Sequence, residues 1–174
     1  KALDASKSAS SRVYYWSWQE MIKNNEKGVF PYTPATNLLY GLKEALRLLH
    51  NEGLKNVFSR HARLAKATRL AVEAWGLENV CLKPEEYSNS CTAVLMPEDF
   101  DADNLREIIL EKFNMSLGTG LGKGKGKVFR IGHLGDFNEL TLAGTLSGVE
   151  MGLRLAEVPH NHGGINAALE FLSI

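Results

Sequence analysis

The segment KVFRIGH, residues 127–133, places a charged arginine inside a short apolar run. Alternate side chains of a β-strand point to opposite faces of the sheet, so Phe129 and Ile131 share one face while Arg130 lies on the other. If helices cover Phe129 and Ile131, the arginine lies on the uncovered face beside Gly132. The segment therefore predicts a strand in a sheet that carries helices on one side.

A guanidinium group in such a strand needs a partner, because an isolated charge is costly to remove from water. One interpretation is an internal ion pair between Arg130 and an acidic side chain. The other is a ligand carboxylate, which a planar guanidinium can hold through two parallel hydrogen bonds. Gly132 leaves space for a ligand, but the spacing alone favours neither interpretation.

The rest of the chain supplies the helices and the other strands. Two further apolar runs read as strands, CTAVLMP at 91–97 and MSLGTGLG at 115–122, the second leading into a glycine-rich turn. Five helices are predicted from apolar residues at spacings of three and four: 36–53, 54–76, 101–114, 135–158 and 165–172. The pattern predicts an α/β fold in which a small, mostly antiparallel sheet has helices packed on one face.

Details of the helices can also be predicted. Asp101 or Asp103 is expected to cap one helix, and Asp136 with Glu139 resembles a capping box at the start of another.

The 54–76 helix is expected to bury Val57, Leu64, Ala65, Thr68 and Val72. Its opposite side carries Arg60, Arg63, Lys66 and Arg69, which we interpret as a solvated face rather than an anion-binding patch. His50 and His61 are expected at the surface or its boundary, and Gly144, Gly148 and Gly152 are expected to pack onto the sheet.

The composition excludes several classes of function. Twenty Lys and Arg residues balance twenty Asp and Glu residues, which argues against a nucleic-acid or membrane-surface partner. Cys81 and Cys91 fit neither a metal-ligand spacing nor a disulfide framework, and Cys91 is expected to be a buried free thiol. We expect a reducing, cytoplasmic setting. His160 and His162 form a short H-x-H without a third ligand nearby, so no metal site is predicted.

Two glycine- or proline-containing loops require a choice between function and structure. The run GLGKGKGK leads into a strand and lacks the Ser or Thr of a phosphate loop, so a flexible hairpin turn is favoured. In FPYTPATN, Thr33 precedes a proline near the start of a helix. Its hydroxyl could bind an anion, but an ordinary helix cap is the favoured interpretation from spacing alone.

Three segments together resemble one family: PYTPATNLLYGLKEALRLLHNEGL, VFSRHARLA and VFRIGHLGDFNELTLAGTLSGVEMGL. They look like the C-terminal half of the serine–glyoxylate and alanine–glyoxylate aminotransferases, which are class V, fold-type I enzymes that use pyridoxal 5'-phosphate. The similarity runs along nearly the whole chain. It implies a transferase that moves an amino group from serine or alanine to glyoxylate.

The resemblance also implies roles for individual residues. The arginine of the family's RIG motif binds the substrate carboxylate, and it matches Arg130. The family threonine that reaches the cofactor phosphate of the other subunit matches Thr33, and the neighbouring Tyr32 could line the same site. Residues 1–52 would be the end of the large cofactor domain with the connecting helix, and residues 53–174 the C-terminal small domain. A homodimer follows from the same comparison.

The family's Schiff-base lysine matches no residue of this chain and should lie upstream, in a missing N-terminal half. We therefore expect no catalytic lysine here and no aminotransferase activity from the chain alone. Two alternatives remain open. The chain could belong to another class V enzyme, with a different amino donor or a desulfurase-like activity, or it could be a non-catalytic packing or interaction module.

Overall fold

The computed structural model describes residues 1–10 and 14–174. It divides into two compact units, Lys1–Glu52 and Gly53–Ile174. That residues 1–52 end a cofactor domain and residues 53–174 form a small domain stays a prediction. No helix of the described chain is long and apolar enough to cross a membrane.

The first unit contains three helices, α1 at Ala2–Ser8, α2 at Trp18–Asn25 and α3 at Thr36–Glu52. The predicted long helix is confirmed by α3. Its apolar stripe is not covered by any described part of the chain, since Leu38, Leu42 and Leu46 are 75%, 53% and 55% exposed. The periodicity thus identified the helix correctly but not a buried face.

The second unit contains four helices and four strands. Its elements are α4 (Leu54–Ala74), β1 (Glu78–Asn79), β2 (Cys91–Leu95), α5 (Ala102–Phe113), β3 (Gly118–Thr119), β4 (Val128–Gly132), α6 (Glu139–Leu155) and α7 (Gly164–Leu172). The strands form one antiparallel sheet in the order β1-β2-β4-β3. The sequence predicted three of these strands. It missed β1 because two polar residues carry no alternating pattern.

The alternation of β4 places the core on one side of the sheet. Phe129 and Ile131 are completely buried, and their partners on β2, Val94 and Thr92, point to the same face. Side chains of α4, α5 and α6 join this cluster, so the helices cover one face of the sheet. Arg130 lies on the other face, as expected. The predicted fold class is confirmed.

The long helix α4 is fastened to the rest of the second unit along two sides. All five residues predicted for its inner face are buried or nearly so. Its basic side is not simply solvated, which corrects the sequence-based interpretation. Arg63 pairs with Glu139 of α6, and the guanidinium carbon of Arg69 lies 4.7 Å from the centre of the Tyr87 ring. These side chains connect α4 to neighbouring segments of the chain.

His61 is buried rather than at the surface, whereas His50 is exposed as expected. Nδ1 of His61 donates a hydrogen bond to the carbonyl of Val57 at 2.7 Å, since a carbonyl can only accept. Its Nε2 accepts from the backbone N–H of Gly135 at 3.1 Å. The imidazole therefore uses both nitrogens to hold the loop after β4 against α4.

The helix caps are determined by short-range hydrogen bonds. Asp101 caps α5 by accepting from the backbone N–H of Asp103 at 2.7 Å, which confirms one of the two expected caps. The expected capping box at Asp136 is wrong. Helix α6 begins only at Glu139, and Asn138 caps it by accepting from the N–H of Thr141 at 2.9 Å.

A buried carboxylate holds α7 in place. Glu150 of α6 accepts hydrogen bonds from the indole N–H of Trp75 at 2.8 Å and from the backbone N–H of Ile165 at 3.2 Å, in the first turn of α7. Burial alone would raise the pKa of Glu150, but these hydrogen bonds outweigh it and hold the pKa below its usual value. An ionised acceptor at a helix N-terminus is favourable because the free N–H groups point towards it.

The glycines of α6 were expected to pack onto the sheet, which is wrong: Gly152 packs against α5 and Gly148 against the segment that follows α5. A Cβ atom at Gly152 would lie 2.3 Å from Cγ1 of Ile109, which belongs to α5. A Cβ atom at Gly148 would lie 2.6 Å from Cε of Met115. At Gly144 nothing lies within 4 Å. Only two of the three evenly spaced glycines are therefore required by close packing.

We predict that Gly152→Ala and Gly144→Ala have opposite effects on stability. The first should lower the free energy of unfolding by about 1–3 kcal/mol, because the added methyl group overlaps Ile109. The second should raise it by up to about 1 kcal/mol, because alanine favours the helix and fills open space. Thermal unfolding of the two variants of the protein that contains this chain measures both. Equal shifts for the two glycines would contradict the packing of α6 against α5.

Candidate functional site

Arg130 occupies the middle of β4, between β2 and β3, and is half-buried. It is paired with Ala93 on one side and Gly118 on the other. Its Nε–H donates to the backbone carbonyl of Thr119 at 2.8 Å. A guanidinium is planar, so this one bond helps to set the direction of the two terminal NH₂ groups.

Within the described part of the chain, the terminal nitrogens of Arg130 make no hydrogen bond, in contrast to Nε. Among residues 1–10 and 14–174, no carboxylate forms an ion pair with this side chain. The internal salt bridge, one of the two interpretations left open by the sequence, is not found in the described part of the chain. The geometry suits a carboxylate ligand, which could accept two parallel hydrogen bonds from the NH₂ groups.

The strand beside Arg130 leaves room because it begins with glycine. A Cβ atom at Gly118 would lie 3.1 Å from both Cβ and Nε of Arg130, so a larger residue would press directly on the guanidinium. The following loop joins the antiparallel strands β3 and β4, which confirms a hairpin turn instead of a phosphate loop. At Gly120, a Cβ atom would lie only 2.0 Å from the carbonyl oxygen of Gly124.

Cys91 lies on the same uncovered face as Arg130, because Thr92 and Val94 take the positions that face the core. The expected buried thiol is therefore half-buried instead. Burial raises the pKa of the Cys91 thiol, and the positive charge of Arg130 offsets this only in part. A thiol with a raised pKa is a poor nucleophile at neutral pH, which gives no support to a desulfurase-like role.

His133 follows β4 and is completely buried. Its Nδ1 donates to the carbonyl of Asn89 at 3.2 Å, and its Nε2 accepts from the hydroxyl of Thr92 at 2.9 Å. Burial, the largest influence, lowers the pKa of His133 from 6.5 to about 4. The ring is therefore neutral at physiological pH and holds the end of β4.

The predicted cofactor residues lie in the loop before α3, within the first unit. Thr33 is exposed and its hydroxyl has no hydrogen bond among the residues that the structure describes, so it does not act as the helix cap that spacing favoured; α3 begins only at Thr36. Tyr32 donates its hydroxyl to the backbone carbonyl of Tyr14 at 2.9 Å and stacks on Tyr15 at 5.2 Å between ring centres. A cavity of about 260 Å³ beside Thr33 is lined mainly by apolar side chains, including Phe30.

The two histidines of the H-x-H segment make contacts within the second unit. Nδ1 of His160 donates to the carbonyl of Val158 at 2.7 Å, and Nδ1 of His162 lies 3.3 Å from a guanidinium nitrogen of Arg154. Among the residues that the structure describes, no group of three or more His, Cys, Asp or Glu side chains could hold a metal ion.

Sequence reasoning found Arg130 and its face but missed its partner. The carbonyl of Thr119 belongs to the backbone, so no residue type marks it. Arg130 lies in the second unit, whereas Thr33 and Tyr32 lie in the first.

Comparison with known proteins gives relatives along the whole chain. This chain is 49% identical over 174 residues to a serine–glyoxylate aminotransferase from Arabidopsis thaliana. The match covers 99% of this chain and 43% of that protein. The chain is 47% identical to a serine–glyoxylate aminotransferase from Hyphomicrobium methylovorum, covering 99% and 44%. The chain thus spans less than half the length of these curated relatives. No family model matches the sequence.

A solved structure shares the fold. The ureidoglycine–glyoxylate aminotransferase from Bacillus subtilis superposes with a TM-score of 0.87 at 25% identity. The match covers 98% of this chain and 44% of that one. The likeness includes both units and corresponds to the C-terminal part of the aminotransferase.

We predict that the imidazole of His133 stays neutral until the pH falls close to 4. Its pKa is lowered in the folded state, so the unfolded chain binds the proton more readily. The contribution to stability is complete above pH 6.5 and is lost as the pH falls from 6.5 towards 4. An NMR titration of the imidazole signals, with His133→Gln identifying the resonance, should give a midpoint near 4. A midpoint above 6 would contradict the buried, neutral assignment.

Proposed function

We propose that this chain supplies the substrate-carboxylate site of a pyridoxal-phosphate-dependent aminotransferase. The chain is homologous throughout its length to the C-terminal part of the class V, fold-type I aminotransferases. In this proposal, residues 1–52 complete the large cofactor domain and residues 53–174 form the small domain. The observation that carries the proposal is the guanidinium of Arg130, whose terminal nitrogens have no carboxylate partner within the described chain.

Arg130 would bind the α-carboxylate of the amino acid and of the 2-oxo acid. Because the Nε–H is already bonded to the Thr119 carbonyl, the NH₂ groups remain for the two carboxylate oxygens. Two parallel bonds fix the orientation of the substrate as well as its position. This control of orientation determines which bond at Cα is aligned for reaction.

Pyridoxal phosphate, when bound, supplies the electron sink for the reaction at Cα. The family resemblance assigns Thr33 to the cofactor phosphate, and its hydroxyl is exposed with no hydrogen-bond partner among residues 1–10 and 14–174. Tyr32 would contribute only the edge or face of its ring, since its hydroxyl is donated to Tyr14. The family resemblance suggests that Thr33 serves the cofactor of the other subunit in a homodimer.

The uncovered apolar surface of the first unit supports a missing partner. Leucines along α3 and the ring of Trp18 are largely exposed in the described chain. Contiguous apolar surface of this kind marks an interface. We propose that it packs against the N-terminal half of the enzyme, which would also carry the catalytic lysine.

The free thiols of Cys81 and Cys91 support a reducing, cytoplasmic compartment.

Glyoxylate is the most strongly supported amino acceptor. The relatives from Arabidopsis and Hyphomicrobium and the Bacillus structure all carry glyoxylate in their names, while the donor is serine in two and ureidoglycine in the third. We propose serine or alanine as the donor, with serine favoured by the relatives from Arabidopsis and Hyphomicrobium.

We predict that Arg130→Lys in the complete enzyme reduces kcat/KM for serine and glyoxylate strongly while the cofactor stays bound. Lysine keeps the charge but cannot form the two parallel hydrogen bonds. The expected loss is about 2–4 kcal/mol of transition-state binding, or roughly 30- to 1000-fold in kcat/KM. Arg47→Lys, in an exposed pair with Glu44, is the matched control and should have no effect. An unchanged kcat/KM in Arg130→Lys would remove the proposed carboxylate role.

We predict that Thr33→Ala weakens cofactor binding before it alters substrate preference. A hydrogen bond to a charged phosphate contributes about 1.5–3 kcal/mol, which corresponds to roughly 10- to 150-fold in the dissociation constant. Titration of the apoenzyme with pyridoxal phosphate measures the effect, and Thr33→Ser should retain most of the affinity. Thr145→Ala serves as the control, because Thr145 is a half-buried threonine of α6 whose hydroxyl donates to the Thr141 carbonyl of the same helix. Equal affinity in Thr33→Ala and the parent enzyme would exclude Thr33 from the phosphate site.

A further inference from the structure

The strand that holds Arg130 in place is itself very short. Strand β3 consists of Gly118 and Thr119, lies at the edge of the sheet, and pairs only with β4. Gly120 follows the strand directly, so Thr119 has a glycine on each side. Glycine restricts the backbone conformation least. Two residues of edge pairing are a weak constraint. The position of the Thr119 carbonyl must therefore depend on other contacts.

Helix α5 supplies these contacts at both ends of the strand. The Nε–H of Arg106 donates to the carbonyl of Leu117, just before β3, at 2.9 Å. The hydroxyl of Thr119 donates to Oδ1 of Asp103 at 3.0 Å. Arg106 also donates from Nη1 to the same Oδ1 at 2.8 Å. We refer to Asp103, Arg106 and Thr119 as the β3 clamp.

The charges of the clamp are suited to a fixed arrangement. The hydrogen bond from Thr119 is the largest influence that lowers the pKa of Asp103, and Arg106 adds to it, while burial acts in the opposite direction. The carboxylate is therefore ionised at neutral pH and can only accept hydrogen bonds. Asp103 and Arg106 are both about two-thirds buried or more, so the solvent screens their interaction less than that of an exposed pair.

We infer that Asp103 and Arg106 are positioning residues for substrate recognition, because they fix β3 and so aim the guanidinium of Arg130 at the substrate carboxylate. This inference rests on the proposed role of Arg130. The path has three steps of direct contact: Asp103 to the Thr119 hydroxyl, the Thr119 carbonyl to Nε of Arg130, and the Arg130 NH₂ groups to the ligand. A displaced carbonyl would rotate the guanidinium plane and spoil the pair of parallel hydrogen bonds.

The inference predicts weaker carboxylate binding without loss of chemistry at saturation. In the complete enzyme, Asp103→Ala and Thr119→Val should each raise KM for serine about two- to tenfold, the factor that corresponds to one net hydrogen bond. The kcat should stay within about twofold and cofactor affinity should not change, since the reacting groups are not touched. Thr119→Ser restores the hydroxyl and should behave like the parent. Glu107→Gln, on an exposed turn of the same helix, is the control.

The decisive experiment measures binding of propionate, a monocarboxylate without an amino group, by NMR titration of the holoenzyme. Asp103→Ala and Thr119→Val should raise its dissociation constant about two- to tenfold in the parent background. In an Arg130→Lys background, where the guanidinium is absent, they should have no further effect. This loss of effect separates positioning of Arg130 from general destabilisation.

The outcomes separate the inference from the proposal on which it rests. If Arg130→Lys leaves propionate binding unchanged, the carboxylate role of Arg130 is wrong and the inference is overturned with it. If Arg130→Lys weakens propionate but the clamp variants do not, only the positioning inference is overturned. The same conclusion follows if the clamp variants weaken propionate equally in both backgrounds.

Discussion

Within the described chain, one hydrogen bond holds the guanidinium of Arg130, from its Nε to the backbone carbonyl of Thr119. This contact depends on several independent features of the fold. Phe129 and Ile131 must be buried beneath the helices, which forces Arg130 onto the uncovered face. The partner strand must begin with Gly118, because a Cβ atom there would crowd the guanidinium. The guanidinium is therefore oriented by a backbone carbonyl and is not neutralised by a carboxylate of the described chain.

The surrounding structure is fixed largely by polar side chains that bind backbone groups. His61 holds the loop after β4, and His133 holds the end of that strand. Glu150 holds the start of α7. Each of these groups is buried with its hydrogen bonds made, so its desolvation is compensated. These contacts hold the segments that follow β4 and precede α7.

Features with a strong period were predictable from the sequence. The period of two in β4 gave the face of Arg130, and the period near 3.6 gave α4 and its buried residues. The sequence did not reveal contacts between side chains and distant backbone, such as His61 with Gly135, because a carbonyl or N–H has no residue signature. It also could not show which face of β2 lies inward, so Cys91 was wrongly expected in the core. The exposed leucines of α3 show that periodicity identifies a face but not what covers it.

In the proposed function, Arg130 receives a substrate carboxylate on its two NH₂ groups while its Nε–H remains bonded to Thr119. A crystal structure of the complete enzyme with pyridoxal phosphate and propionate tests this most directly. The account predicts both propionate oxygens within about 3 Å of the Arg130 terminal nitrogens, in one plane with the guanidinium. A carboxylate bound elsewhere, with an acidic side chain of the N-terminal half paired to Arg130, would contradict it.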